Sequence, residues 1–281
     1  MSQLETAPIQ DIKRLLGAFP VTTLKEAWGQ VKGSKEEICF AAAQERDVSK
    51  LTSFILKNFG RCKLHVYVLE PHQNGTDITT ALEGAEQVAV DGEGRTLLLT
   101  RSVYSVFLKD PPEEQTVEFL WPIRLETIGR YTVLSLVVLE RNPCTYFDRD
   151  CYQLSRSLDE RGITLAIEKL GFQRADLHLG VKTLWDEDYM DSFRTKFKKP
   201  KSTASEHMDE ELGIKKNNPA LYEELKSSVM FVTNFQIEPE AGACVEDFAI
   251  DPSAGFISFT RYTEGAGDAD EVVHKLLEKN G

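Results

Sequence analysis

Residues 131–139 read Tyr-Thr-Val-Leu-Ser-Leu-Val-Val-Leu, the longest aliphatic and β-branched run in the chain. A run of this length and composition is a strand buried on both faces, because a half-exposed strand would alternate apolar with polar residues. Such a strand needs neighbours on both edges and cover above and below. The segments upstream supply candidates. Lys63–Glu70 alternates and leads into a loop at residues 71–75. Gln87–Val90 and Arg95–Arg101 flank Asp91-Gly-Glu-Gly94, a hairpin signal. Val103–Leu108 continues the second of these as one long bent strand. Asp110-Pro-Pro-Glu-Glu114 reads as a turn, and Thr116–Trp121 as a strand closed by Pro122. Successive strands with short turns imply an antiparallel meander over about 61–142, with 131–139 its last and most buried member. No helical pattern interrupts it, which argues against a doubly wound nucleotide-binding fold.

Helices on either side are the expected cover. Ile9, Ile12, Leu15, Leu16 and Phe19 recur at helical spacing, and Pro20 ends that stripe. Thr22 or Thr23 is positioned to cap a second helix, with Leu24, Ala27, Trp28 and Val31 inward. Ser34 and Glu37 have the spacing of a capping box. Asp47 precedes a further helix bearing Val48, Leu51, Phe54, Ile55 and Phe59, stopped by Gly60. Beyond the meander, Asp150–Leu158 and Ile163–Leu170 read as helical, with Gly171 as the stop. Ala175–Val181 alternates, placing Asp176 and His178 on one face of an expected strand. Residues 191–218 mix blocks of opposite charge and read as a charged loop or linker. Pro219–Lys226 then reads as a short helix. Val229–Ile237, Ala243–Ile250 and Phe256–Tyr262, with a turn at Asp251–Gly255 and a last helix from Asp268, form a β-β-β-α unit. The expectation is an α+β fold: a helical module over 1–60, an antiparallel sheet with following helices over 61–190, a linker over 191–218, and the β-β-β-α unit over 219–281.

Composition bounds the function. The chain has 281 residues, 41% of them hydrophobic and 28% charged, which supplies an ordinary globular core. The net charge of −12 disfavours indiscriminate nucleic-acid binding but permits a local basic patch. Cys39, Cys62, Cys144, Cys151 and Cys244 are odd in number and scattered, so all five are expected to be reduced thiols. With a polar N-terminus and no membrane-length apolar run, this implies an intracellular protein, cytoplasmic or associated with nucleoid or nucleus, without a membrane partner.

No GxSxG, P-loop, GxGxxG after a strand, or HExxH occurs, so neither a catalytic residue nor a cofactor is assigned. Val21-Thr-Thr-Leu-Lys-Glu-Ala27 and Lys32-Gly-Ser-Lys-Glu-Glu-Ile38 resemble the helix-loop-helix of SAP and Rho-N modules. That resemblance covers about 30 residues and implies contact with DNA or RNA through Lys25, Lys32 and Lys35. Glu36 and Glu37 depart from it, placing negative charge where phosphate would approach. A second basic group, Arg194, Lys196, Lys198, Lys199 and Lys201, is the densest in an otherwise acidic chain. Together these point to a non-catalytic binding or assembly protein associated with nucleic acid. One alternative is a metal-dependent hydrolase or nuclease using Asp148, Asp150, Asp176 and His178, whose carboxylate and imidazole groups suit a divalent ion. Another is a subunit whose acidic surface recognises a basic protein partner. Phe256, Phe259, Arg261 and Tyr262 are candidates for a stacking surface, although alternation sends Phe259 and Arg261 to one face and Phe256 and Tyr262 to the other.

Overall fold

A computed structural model describes residues 2–29, 33–71, 78, 82, 84–139, 150–199, 202–207 (His207 by its backbone alone), 213–238, 245 and 247–281. The helices are α1 (Gln3–Thr6), α2 (Ile9–Gly17), α3 (Val21–Trp28), α4 (Lys35–Glu45), α5 (Val48–Asn58), α6 (Glu160–Lys169), α7 (His178–Asp186), α8 (Gly213–Asn217), α9 (Pro219–Ser227) and α10 (Asp268–Asn280). The strands are β1 (Leu64–Pro71), β2 (Glu86–Val90), β3 (Thr96–Leu108), β4 (Glu113–Ile128), β5 (Tyr131–Val137), β6 (Cys151–Arg156), β7 (Phe172–Arg174), β8 (Met190–Lys199), β9 (Ser202–His207), β10 (Thr233–Ile237), β11 (Phe248–Asp251) and β12 (Phe256–Phe259). The fold is α+β, and the pairs β1–β12, β10–β11, β8–β10, β11–β12, β2–β3, β3–β4, β3–β6 and β8–β9 are antiparallel. It divides into two units, each built from separated parts of the sequence: residues 1–58, 73–125 and 136–172, and residues 59–72, 126–135 and 173–281.

In the first unit, α3, α4 and α5 follow local signals. Ser34 accepts from the Glu37 N–H, and the Glu37 carboxylate accepts from the Ser34 N–H at 2.6 Å. Asp47 accepts from the Lys50 N–H at 2.9 Å at the head of α5. The expected threonine cap of α3 is corrected: the helix starts at Val21 behind Pro20, and Thr23 is buried. Proline supplies a pre-set φ there and no N–H to satisfy. Trp28 and Phe19 both pack on Phe54, with ring centroids 4.7 and 4.9 Å away. The hairpin of β2 and β3 turns at Asp91, whose carboxylate accepts from the Glu93 and Arg95 N–H groups at 2.9 Å. β3 is the single long strand its pattern implies. β4 does not end at Pro122, which sits opposite Leu99 inside the β3–β4 ladder; losing one N–H does not stop a strand whose other pairs are intact.

Residues 150–158 form no helix. β6 pairs with the Tyr104–Leu108 end of β3, and Tyr152 rests on Phe107 with centroids 5.3 Å apart. The edge of β3 is better satisfied by a ladder of backbone bonds than by a helix laid beside it. Arg156, at the end of β6, lies between the rings of Tyr104 and Trp121 at 4.8 and 4.5 Å and donates to the Ser102 hydroxyl at 2.8 Å.

In the second unit the strand order is β5-β1-β12-β11-β10-β8-β9, with β7 also on β1. Thus β5 is the last strand of the sequential run β2-β3-β4-β5, as expected, but β1 lies on its other edge and not at the start of the meander beside β2; six of the seven residues of β5 are buried. The C-terminal strands continue from β1 instead of forming a separate sheet. Leu64, Val66, Val68, Ile257, Phe259, Phe248, Ile250, Phe235 and Phe197 are buried. Trp185, Phe235, Phe248 and Phe259 form a chain of ring contacts at 5.4, 6.1 and 5.7 Å.

Two further expectations fail in this unit. Ala175–Val181 is not a strand; the chain enters α7 at His178, whose N–H is accepted by the Asp176 carboxylate at 2.9 Å. Residues 191–218 are not a linker, because β8 and β9 form a hairpin and α8 follows. The basic run conceals a strand period: Thr195 and Phe197 are buried, whereas Arg194, Lys196 and Lys198 are exposed. Residues 200, 201 and 208–212 lie outside the described residues.

Gly255 packs the turn between β11 and β12 against β1. Its φ is +55°, and a Cβ there would lie 2.7 Å from the Val68 carbonyl and 2.8 Å from that of Ala175. Gly255→Ala is expected to cost about 2–4 kcal/mol through left-handed strain and backbone displacement. Urea unfolding monitored by circular dichroism measures it.

Cys39 and Cys62 are buried thiols outside any disulfide, and burial pushes the Cys39 thiol up to about 11. Cys151 is disulfide-bonded, which corrects the expectation of five reduced thiols and removes that argument for a compartment. Cys144 and Cys244 lie outside the described residues. Among the described residues, no helix is long and apolar enough to cross a membrane.

Candidate functional site

β8 owes its amphipathic character to alternation. Same-face residues of a strand are spaced about 6.6–6.8 Å apart. Arg194, Lys196 and Lys198 therefore form a row of three cationic groups at that interval, all exposed. Among the described residues none of the three has an ion-pair partner, whereas Lys199 lies 3.9 Å from Glu224. Directly opposite on β9 are His207, Ser205 and Thr203 respectively, and paired residues share a sheet face. The row is thus edged by two hydroxyl side chains. On the other flank, the Phe231 N–H donates to the Lys196 carbonyl at 2.7 Å and the Lys198 N–H to the Val229 carbonyl at 3.0 Å. These bonds fix the strand beneath its exposed cationic tips. Glu206, the acidic residue of β9, pairs with Thr195 and so belongs to the opposite face.

The face continues across the sheet. Arg194 pairs with Asn234, Asn234 with Ala249, Ala249 with Ser258, and Ser258 with His65. One transverse row therefore joins β8 to β1 through small side chains. At the β1 end, Phe256 lies 5.3 Å from His65 and 5.0 Å from Tyr67 between ring centroids, and the Arg174 guanidinium stands 4.4 Å from the Tyr67 centroid. All four of these side chains are half-buried. The carboxylate on this part of the face is Asp251, opposite Phe256; it accepts from the Ser253 hydroxyl at 2.8 Å and the Ala254 N–H at 3.2 Å, capping a turn.

The other residues singled out from sequence fall elsewhere. Lys25 is exposed on α3. Lys35 donates to the Gly17 carbonyl at 2.7 Å, so its ammonium secures the end of α2. Both belong to the first unit, whereas β8 belongs to the second. Lys32 and Lys201 lie outside the described residues. The expected stacking set is divided by burial: Phe259 is core at 1% exposure, Arg261 pairs with Asp247 at 3.0 Å, and Phe256 joins His65 and Tyr67.

The hydrolase residues do not assemble into a described site. Asp148 lies outside the described residues, and Asp150 is 3.7 Å from Lys109. The Asp176 carboxylate lies 2.6 Å from His178 Nδ1, and Nε2 accepts from the Met230 N–H at 2.9 Å. The imidazole is thereby engaged at both nitrogens. Burial pushes the Asp176 carboxyl up, but the backbone N–H and ring of His178 and the charge of Lys182 outweigh it, leaving the carboxyl below its ordinary value. Among the described residues, no group of three or more His, Cys, Asp or Glu side chains is arranged to hold a metal ion.

Comparison with protein-family models finds none that matches the chain, and comparison with curated proteins finds no match.

Proposed function

We propose that the chain is a non-catalytic binding protein that engages nucleic acid, alone or within a nucleic-acid-bound assembly, through the cationic face of β8. The observation that supports this reading is the exposed row of Arg194, Lys196 and Lys198, unpaired among the described residues and edged by Ser205 and Thr203. The arginine guanidinium and lysine ammonium groups neutralise phosphates, while hydroxyls donate to phosphate oxygens. The chain's net charge of −12 favours docking through this local basic surface over indiscriminate coating. Lys25, on the first unit, is the contact that the SAP-like resemblance implies there, independently of β8, and the engaged Lys35 carries less of that resemblance than its sequence position implies.

The test is a fluorescence-anisotropy titration of labelled oligonucleotides, single-stranded and duplex, at low salt. The wild-type protein is expected to bind, and the variant Arg194→Glu/Lys196→Glu/Lys198→Glu to lose binding. Absence of wild-type binding to both forms overturns the reading.

A further inference from the structure

We infer that the nucleic acid taken by this face is single-stranded, with a base laid against the group formed by Tyr67, Phe256 and His65 and the backbone running toward Arg194, Lys196 and Lys198. The inference rests on the proposed nucleic-acid reading and adds the form of the ligand.

The transverse row carries the argument. From β1 to β8 there are four interstrand steps of about 4.8 Å, or roughly 19 Å, which a few nucleotides of extended strand can span. Ser258, Ala249 and Asn234 occupy the intervening positions, so the path between the two ends is floored by small side chains. The ends differ in chemistry. β8 offers fixed positive charge, which any phosphodiester chain satisfies. The β1 end offers aromatic surface, with Phe256 touching both His65 and Tyr67 and Arg174 over Tyr67. Such surface recognises the π-face of a base, and in a duplex those faces are covered by neighbouring base pairs. Only an unstacked strand can use both ends at once. Asp251, the carboxylate nearest this group in register, is engaged in its turn, which limits its repulsion of a passing phosphate.

The experiment titrates fluorescein-labelled oligothymidylate and oligouridylate of about ten nucleotides, and a duplex of equal length, against wild type, Phe256→Leu and Tyr67→Leu. Leucine keeps apolar bulk while removing the π-face. The expected result is preference for the single strands, a loss of roughly 5- to 100-fold in single-strand affinity for each variant, and unchanged duplex affinity. Cross-linking of wild type to a bromouridine-containing strand keeps the test independent of variant folding; adducts are expected on Tyr67, Phe256 or His65. Equal affinity for the two forms, unchanged single-strand affinity in folded variants, or adducts confined to other peptides would each overturn the inference while leaving nucleic-acid binding in place. Failure of wild type to bind either form overturns the underlying reading as well.

Discussion

Asn280→Leu is expected to lower the free energy of unfolding by about 3–4 kcal/mol, measured by urea denaturation. Asn280 is 5% exposed and uses every polar atom of its side chain. Its Oδ1 accepts from the Gly180 N–H at 2.9 Å, and its Nδ2 donates to the Tyr131 hydroxyl and the Asp176 carbonyl, both at 2.8 Å. Gly180 lies in the first turn of α7, where backbone N–H groups have no intrahelical acceptor. The last turn of α10 therefore caps α7 from a distance, beside the local bond from the His178 N–H to Asp176. Leucine has similar bulk but leaves a donor and a carbonyl without these partners in the interior. A stranded buried group costs about 1–3 kcal/mol, which makes the loss larger than that of a surface hydrogen bond. Gly180 must itself be glycine, since a Cβ there would meet the Leu276 carbonyl at 2.4 Å. Gly180→Ala is expected to destabilise the same contact between α7 and α10, and combining it with Asn280→Leu should cost less than the two losses added. Strict additivity of the pair would show that the two positions act separately.

The triple reversal Arg194→Glu/Lys196→Glu/Lys198→Glu is expected to weaken nucleic-acid binding at low salt by at least about a hundredfold, because three phosphate contacts become three repulsions. The side chains are exposed, so folding stability should change little. The variant also makes the whole protein more negative. A control separates that general effect from loss of the site: Arg161→Glu with Lys169→Glu, exposed positions on α6, changes net charge in the same sense away from β8. The control is expected to retain most of the affinity. Equal losses in control and triple variant would assign binding to bulk charge.

How much of this was legible in the sequence differs by element. Continuous apolar residues over 131–139 mark a doubly buried strand, which the fold forms at Tyr131–Val137, and the Ser34–Glu37 and Asp47 signals place the heads of α4 and α5, because these features act within a few residues. Asp150–Leu158 reads as helical because a short segment with Tyr152 and Leu154 satisfies either period, and only the edge of β3 makes Cys151–Arg156 a strand. The helical start at His178 is hidden because a turn closed by the Asp176 carboxylate on the His178 N–H converts an apparent alternation into the entry to α7. In the basic run, charge content obscured the period-two burial of Thr195 and Phe197. The aromatic end of the candidate site was partly visible, since His65 and Tyr67 share a face by alternation. Its union with Phe256, and the row through Ser258, Ala249 and Asn234 to Arg194, depends on registers among five strands, of which β1 and β8 lie far in sequence from the β11–β12 hairpin. Local pattern carries no information about such registers.

The most direct test of the central claim is the salt dependence of single-strand binding by wild type and the β8 triple variant. Three phosphate contacts predict a slope of log affinity against log salt of about −2, so a fourfold rise in salt should weaken wild-type binding roughly 20-fold. The triple variant should show no measurable binding across the same range. An identical affinity and slope in the two proteins would contradict the assignment of phosphate contact to Arg194, Lys196 and Lys198.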